Sequence, residues 1–334
     1  VPRVAVAPEY DWTICRRLLA YRHLFHAGNF ADVFKHALLA QLVLELHKKD
    51  KPIFVLDTHA GIGRYDLTHA WAQKNAEFRD GIAKIWRRPN APAEIRPYLD
   101  AVGAENADGE LHFYPGSPRI IRRLLRPGDR LVLGELNKKD CEELHAWYAR
   151  DRQVRVELAD GYQLLKAHLP PKERRGLIFV DSSFDRSKEF DRLTQGFVEA
   201  HRKFATGIYA LWYPLMEPMT MRAFERGVLE SGIRKILQVE LSLFPDSWTA
   251  NLRGCGMLIA NPPFAFEVTA RRILPTKNRI ALEGVRAEER VGQRTLLDVL
   301  NAEQELLDAE TALVRTRRDA TVAVYTLIGA VGRL

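Results

Sequence analysis

The sequence predicts a doubly wound α/β sheet carrying a helical insertion and a long helical tail, and three observations lead to that prediction. Seven short runs rich in Val, Ile, Leu and Phe recur between longer amphipathic stretches. Four of the first five end at or near an acid or a glycine-bearing loop, which is where ligands meet strand carboxyl ends in open sheets. From about residue 276 the texture changes to a proline-free stretch with a seven-residue apolar repeat.

Taken in order, the runs are PIFVLD (52–57), RLVLGE (130–135), VRVELA (154–159), GLIFVD (176–181), IYALWY (208–213), KILQVEL (235–241) and GMLIAN (256–261). Each has strand length and strand composition. The interval 65–129 is long for one crossover and is expected to hold a helical insertion between the first two strands. In the tail, Val299/Leu300, Leu306/Leu307 and Leu313/Val314 repeat a paired apolar stripe, the pattern of a long helix seeking a partner or of an ordinary amphipathic helix.

Composition sets outer bounds. With 334 residues and 46% hydrophobic content the chain can bury a sizeable core. ALLAQLVLEL is too short to span a bilayer, and VPRVAVAPEYDW lacks a signal-type apolar run. Cys15, Cys141 and Cys255 are far apart and form no CxxC pair, so neither a zinc site nor a disulfide framework is expected. A soluble cytoplasmic protein is the expectation. The net charge of +7 favours a polyanionic partner, although charges spread over a solvated surface give the same sum. From Thr276 onward nine Lys and Arg balance nine Asp and Glu, so the excess lies upstream.

The chemistry gathers at strand ends. Asp57-Thr58-His59-Ala60-Gly61-Ile62-Gly63 follows the first run; Gly61 and Gly63 let backbone approach a ligand that a Cβ would hold off, although a plain tight turn uses the same letters. The second run ends at Glu135, suited to accepting both ribose hydroxyls of an adenosine-containing cofactor. Asp160-Gly161 follows the third, placed to hold the adenine amine. A single acid at a strand end is commonly a helix cap or turn residue, but here three occur in order.

The fourth run ends in Asp181-Ser182-Ser183-Phe184. Amino-methyltransferases place an Asp or Asn, two prolines and an aromatic there. The carboxylate and the next carbonyl accept hydrogen bonds from an exocyclic amine, and the ring stacks on the flipped base. The amine's lone pair is delocalised into its ring, so acceptors aimed at its hydrogens favour the pyramidal geometry of attack, and no metal is needed. Serines at both proline positions remove rigidity. A second match, Asn261-Pro262-Pro263-Phe264, is closer letter for letter, but the last strand of such a sheet runs antiparallel and ends on the opposite side from the cofactor. Asp181 is therefore preferred.

YRHLFHAGNFADVFKH (21–36) brings His23, His26, Lys35 and His36 together without the cysteine or acid cluster that would complete a metal site. Surface or capped histidines are one reading. Another puts Lys35 and His36 at the border of the cofactor pocket and Tyr21 and Arg22 on RNA, with Lys35 also a candidate RNA contact.

These residues, with LDTHAGIGRY (56–65), FYPGSP (113–118), ADGY (159–162), RRGLIFVD (174–181), FATGIYALWYP (204–214) and GIRKILQVEL (232–241), closely resemble the RlmJ family of bacterial 23S rRNA adenine-N6 methyltransferases over residues 19–275. The resemblance implies a seven-stranded, Rossmann-like sheet dependent on S-adenosylmethionine and flipping of an adenine of 23S rRNA, with protein-free or early-assembly RNA as partner. It places the cofactor against His36, His59, Ser117, Glu135, Asp160 and Gly161, beside Gly61 and Gly63. It makes Asp181 the acceptor, touching both cofactor and base, Phe184 its stacking partner, and Tyr21 an RNA contact. The chain departs from the family at Asp-Ser-Ser-Phe, where the family has Asp-Pro-Pro-Tyr. It also departs in residues 1–18, read as an extension, and after Pro275. There residues 276–334, with VGQRTLLDVLNAEQELLDA, resemble the C-terminal helical part of TolC-type outer-membrane efflux proteins. A chimera with a helical tail and no transport role is expected, and a monomer unless that helix self-associates. A protein that binds SAM and RNA without turnover, and an efflux-related component, are the alternatives.

Overall fold

A computed structural model describes residues 22–89, 91–184, 188–242 and 254–273. The first extension, Tyr21, Cys15 and the tail from 276 lie outside the described residues.

The sheet has seven strands: β1 (Phe54–Asp57), β4 (Arg130–Glu135), β5 (Val154–Leu158), β6 (Gly176–Val180), β7 (Ile208–Leu215), β8 (Ile236–Ser242) and β9 (Gly254–Ala260). Each coincides with one of the seven apolar runs, displaced by at most two residues at either end. Their spatial order is β5-β4-β1-β6-β7-β9-β8; the first five run parallel, and β9 is antiparallel to both its neighbours. Strand order reverses across β1, so the crevice beyond the carboxyl ends of β1, β4 and β6 is the ligand-binding position of an open sheet.

The central strands are buried on both faces, and for that reason they read as continuous apolar runs instead of alternating ones. On one face Val55, Leu133 and Phe179 pack under helix α1 (Phe30–His47), in a cluster that includes Leu38, Leu39, Leu42 and Val43. Asn29 caps α1 by accepting the Asp32 N–H at 3.0 Å. On the other face Phe54, Leu56, Ile178 and Val180 pack with Leu164 and Leu165 of α7 (Gly161–His168), Leu193 and Phe197 of α8 (Glu189–Lys203) and Phe224 of α9 (Pro218–Glu230). The remaining crossover helix, α6 (Lys138–Tyr148), joins β4 to β5.

The interval 65–129 is more than helical. It holds α2 (Ala70–Asn75), α3 (Ile82–Ile85), α4 (Arg96–Ala104) and α5 (Ser117–Leu124), together with an antiparallel ribbon of β2 (Arg64–Asp66) and β3 (Phe113–Pro115). Three-residue strands carry too little alternation to read from sequence. The ribbon returns the chain so that the Gly116 N–H donates to the Gly63 carbonyl at 2.9 Å, which brings the start of α5 against the β1 loop. No helix among the described residues is long and apolar enough to cross a membrane.

Candidate active site

The loop after β1 turns sharply at Gly61 (φ +62°) and Gly63 (φ +80°), backbone conformations that disfavour a Cβ. A side chain at Gly61 would also meet the Tyr65 hydroxyl at 2.3 Å, so that Tyr65 would have to move. The turn delivers the Gly61 N–H to Glu135 Oε2 at 2.9 Å, while the Asn137 N–H donates to Oε1 at 2.7 Å. Burial pushes the Glu135 carboxyl up, against the pull of these two amides. Each oxygen keeps a lone pair, so the carboxylate is oriented by its own backbone and can still accept two hydroxyls.

Asp57, at the end of β1, is fully buried and accepts the Ser117 hydroxyl at 2.7 Å. Burial pushes its carboxyl up to about 7, and neighbouring Asp181 adds to the rise. His36 is also buried; its Nδ1 lies 2.8 Å from the Tyr114 hydroxyl, which lies 3.1 Å from that of Tyr98. Burial drives its imidazole down to about 3, so it is a neutral ring at neutral pH. His59 Nδ1 sits 2.8 Å from the Thr58 hydroxyl, and burial lowers this ring as well.

Asp160 caps α7 by accepting the Tyr162 N–H at 3.0 Å and pairs through its other oxygen with Arg192 at 2.8 Å. Burial alone would raise its carboxyl, but the guanidinium and the capped amide hold it below the ordinary range. A Cβ at Gly161 would lie 2.5 Å from the Thr58 carbonyl and 2.8 Å from the His59 ring. Only glycine lets α7 start this close to the β1 loop.

Asp181 follows β6, and its Oδ2 is 2.7 Å from Lys35 Nζ. Lys35 is buried on α1, paired also with Asp32 at 2.7 Å, and its ammonium lies 5.4 Å from the Trp212 ring centre. Burial works against the Asp32 charge, yet His23 and Lys35 hold its carboxyl well below the usual carboxylate range. Phe184 packs at 5.8 Å edge-on to Trp212 and at 4.7 Å from Phe190.

Among the predicted residues, Gly61 meets Glu135, Gly161 abuts the Thr58 carbonyl and the His59 ring, Ser117 meets Asp57, and Gly63 meets Gly116; Asp160 follows β5, Asp181 and Phe184 follow β6, and His36 lies on α1. Two RNA-contact candidates sit differently. Lys35 faces Asp181 and Asp32 within the core of the site, and Arg22 is half-exposed in an ion pair with Asp140 at 2.9 Å; Tyr21 lies outside the described residues. The histidines of the 21–36 segment are held by Asp32, Glu77 and Tyr114, and no metal-type group of three or more His, Cys, Asp or Glu occurs among the described residues. Sequence reasoning missed Asp32, Tyr162, Glu189, Arg192 and Trp212. For Trp212 a signal existed, because it sits in the aromatic run at the end of β7. The residues fit an adenosine-type ligand: a carboxylate oriented for a diol, a capped acid beside a helix start, and a glycine-lined approach.

The second motif is elsewhere. Asn261 ends the antiparallel β9, and its side-chain amide donates to the Ala205 and Gly207 carbonyls, both at 2.8 Å, at the amino-terminal end of β7. Phe264 is 98% exposed.

Comparisons with known proteins bear on the family of the chain. The family described as "Ribosomal RNA large subunit methyltransferase D, RlmJ" matches residues 50–291. The chain is 44% identical over 258 residues to Ribosomal RNA large subunit methyltransferase J of Escherichia coli K12, covering 77% of this chain and 92% of that protein. Its counterpart in Haemophilus influenzae is 40% identical, with the same coverage. Among solved structures, a protein of Legionella pneumophila aligns with a TM-score of 0.70 and 38% identity, over 75% of this chain and 92% of the other. A separate stretch of 56 residues is 50% identical to Outer membrane efflux protein BepC of Brucella suis, 17% of this chain but only 12% of that protein.

Proposed function

The chain belongs to the RlmJ family of ribosomal RNA large subunit methyltransferases, and from that premise we propose that it methylates the exocyclic N6 amine of an adenine in 23S rRNA, with Asp181 as acceptor. It is an enzyme, and its methyl donor is S-adenosylmethionine. The observation that supports this residue assignment is the position of Asp181. It stands at the sheet's switch point with one oxygen on Lys35 and an aromatic wall of Phe184 and Trp212 beside it.

Glu135 would take the ribose hydroxyls of the donor and the Asp160-Gly161 turn the adenine edge, with His36, His59, Ser117 and the Gly61 and Gly63 loop lining the remainder. The donor supplies an electrophilic methyl group on a sulfonium sulfur. Lys35 holds Asp181 Oδ2 and leaves Oδ1 for one hydrogen of the target amine, while the Ser182 carbonyl takes the other. The two acceptors would localise the nitrogen lone pair, and Phe184 would stack on the flipped base. The Asp181 carboxylate would hold the amine proton that methylation releases before it passes to water. Tyr21 and Arg22 are assigned to the approach of the RNA. A cytoplasmic monomer acting on protein-free or early-assembly RNA suits a reaction in which a base must leave its stack. The chain is divided into an extension (1–18), the methyltransferase domain (19–275) and a helical fragment (276–334), and the fragment is assigned no transport role.

Tritiated S-adenosylmethionine with unmodified 23S rRNA tests the reading. Label is expected on N6 of one adenine. Label on another atom or base, or binding of both ligands without label, overturns it.

A further inference from the structure

The turn that carries Asp181 has an unusual problem. Phe184 adopts φ +53°, a left-handed conformation uncommon for a bulky residue, and strained backbone of this kind persists only where its surroundings over-determine it. Prolines at 182 and 183 would stiffen such a turn, and this chain has serines.

Ser182 does not lie idle. It is buried, and its hydroxyl donates to Glu189 Oε1 at 2.6 Å. Glu189 is 4% exposed, opens helix α8, and accepts on the same oxygen from the Tyr162 hydroxyl at 2.7 Å. Its other oxygen meets Arg192 at 3.2 Å. Arg192 then reaches Asp160 Oδ2 at 2.8 Å, lies over the Tyr162 ring at 4.7 Å, and leaves Asp160 Oδ1 on the Tyr162 N–H. A buried carboxylate at a helix N-terminus with three converging donors is held in one orientation, because turning it away would cost the Ser182 and Tyr162 hydroxyls their acceptor.

We infer that Ser182, Glu189 and Arg192 form a hydrogen-bonded brace that replaces the missing prolines, fixing the Asp181 turn from behind and tying it to the Asp160 turn. Glu189 is a positioning residue, acting through Ser182 and Arg192. This inference rests on the proposed roles of Asp181 and Asp160. The serines are then a different way to build a rigid turn, and the methyl-acceptor and donor sites share one rigid support.

Three variants of the full chain test it: Ser182→Ala, Ser182→Thr and Glu189→Gln. The readouts are kcat and KM for 23S rRNA, Kd for S-adenosylmethionine by calorimetry, and Tm. Ser182→Ala removes one donor to a buried carboxylate, so kcat is expected to fall about tenfold with KM within about twofold, and Ser182→Thr, which keeps the hydroxyl, recovers most of it. Glu189→Gln sets an amide against converging donors, so kcat falls further and Kd for the donor rises about threefold. Unchanged kcat and Kd, or losses that merely follow a lower Tm, overturn the brace. A gain in kcat on Ser182→Pro does so too, because the hydroxyl would then be a defect. If the native chain binds the methyl donor without transferring its methyl, the catalytic reading fails separately. The Kd of Glu189→Gln then decides the brace alone, an unchanged value rejecting it.

Discussion

Two tetrads in this chain share a pattern, Asp181-Ser182-Ser183-Phe184 and Asn261-Pro262-Pro263-Phe264, and they stand at opposite ends of one sheet. The second matches an amino-methyltransferase motif better by letter. The first follows a parallel strand, so it opens into the crevice with Glu135 and Asp160, its acid held by buried Lys35 and its ring against Trp212. The second follows antiparallel β9, so its amide ties down the loop before β7 and its ring is left in solvent. Strand direction outranks letter identity, because it decides which other groups a motif can meet.

The sharpest way to break the comparison is to substitute the two leading residues. Asp181→Asn keeps shape but turns one acceptor into a donor and leaves Lys35 with a weaker partner, so kcat is expected to fall by about 10² to 10³. Asn261→Ala is expected to leave kcat within about twofold at equal folded fraction. Single-turnover methyl transfer measures both. Equal losses would show that the second tetrad also serves the reaction.

The next contrast is in pH. The crevice end buries Asp57, whose carboxyl is raised to about 7 from an ordinary value near 4. A raised acid contributes stability fully below its unfolded value, and that contribution is lost as pH rises through about 7. Asp57→Asn should remove that loss, so that its Tm rises more, or falls less, than the native chain's between pH 5 and 7. His36 works the other way: its ring, lowered to about 3, gives stability present above 6.5 and lost as pH falls toward 3. Asn261→Ala should leave the pH slope untouched. Thermal melts across pH 5 to 8 decide it, and an unaltered slope in Asp57→Asn would count against a buried titrating acid there.

Smaller again is the contrast between rings. Stacking on an aromatic is worth about 1–3 kcal/mol per base, so Phe184→Ala is expected to raise KM for RNA by roughly tenfold or more, whereas Phe264→Ala changes nothing measurable. A loss in kcat alone, with KM unchanged, would mean that Phe184 serves the turn instead of the base.

What was legible in the sequence follows from the same logic. The central parallel strands were readable because buried parallel strands are continuous apolar runs, the edge and antiparallel strands because β-branched and aliphatic residues recur in short runs, and Asp57, Glu135, Asp160 and Asp181 because strand ends punctuate those runs. The brace was not readable. Tyr162 meets Glu189 across 27 positions and Arg192 meets Asp160 across 32, and no local period encodes such pairs. The pairing of Lys35 with Asp181 was unreadable for a related reason. Helix α1 is apolar nearly all round, so nothing in its pattern says that a lysine points inward to an acid on a distant strand.

The last and smallest test asks what the second tetrad does for the chain. Asn261 has φ +53°, which asparagine tolerates and alanine does not, and its amide makes two hydrogen bonds to partly exposed carbonyls. Two neutral bonds that water can partly replace contribute about 1 kcal/mol, and left-handed backbone adds about 1 kcal/mol for alanine. Asn261→Ala should therefore cost about 2 kcal/mol, and Asn261→Gly, relieved of the backbone term, about 1 kcal/mol less. Urea denaturation separates them, provided that the m-value is constant so that the midpoint reports stability. If alanine and glycine are equally destabilising, the backbone conformation carries nothing and the hydrogen bonds carry all of it. If neither destabilises, Asn261 is not an anchor, and the opposite end of the sheet would need another reason for keeping that residue.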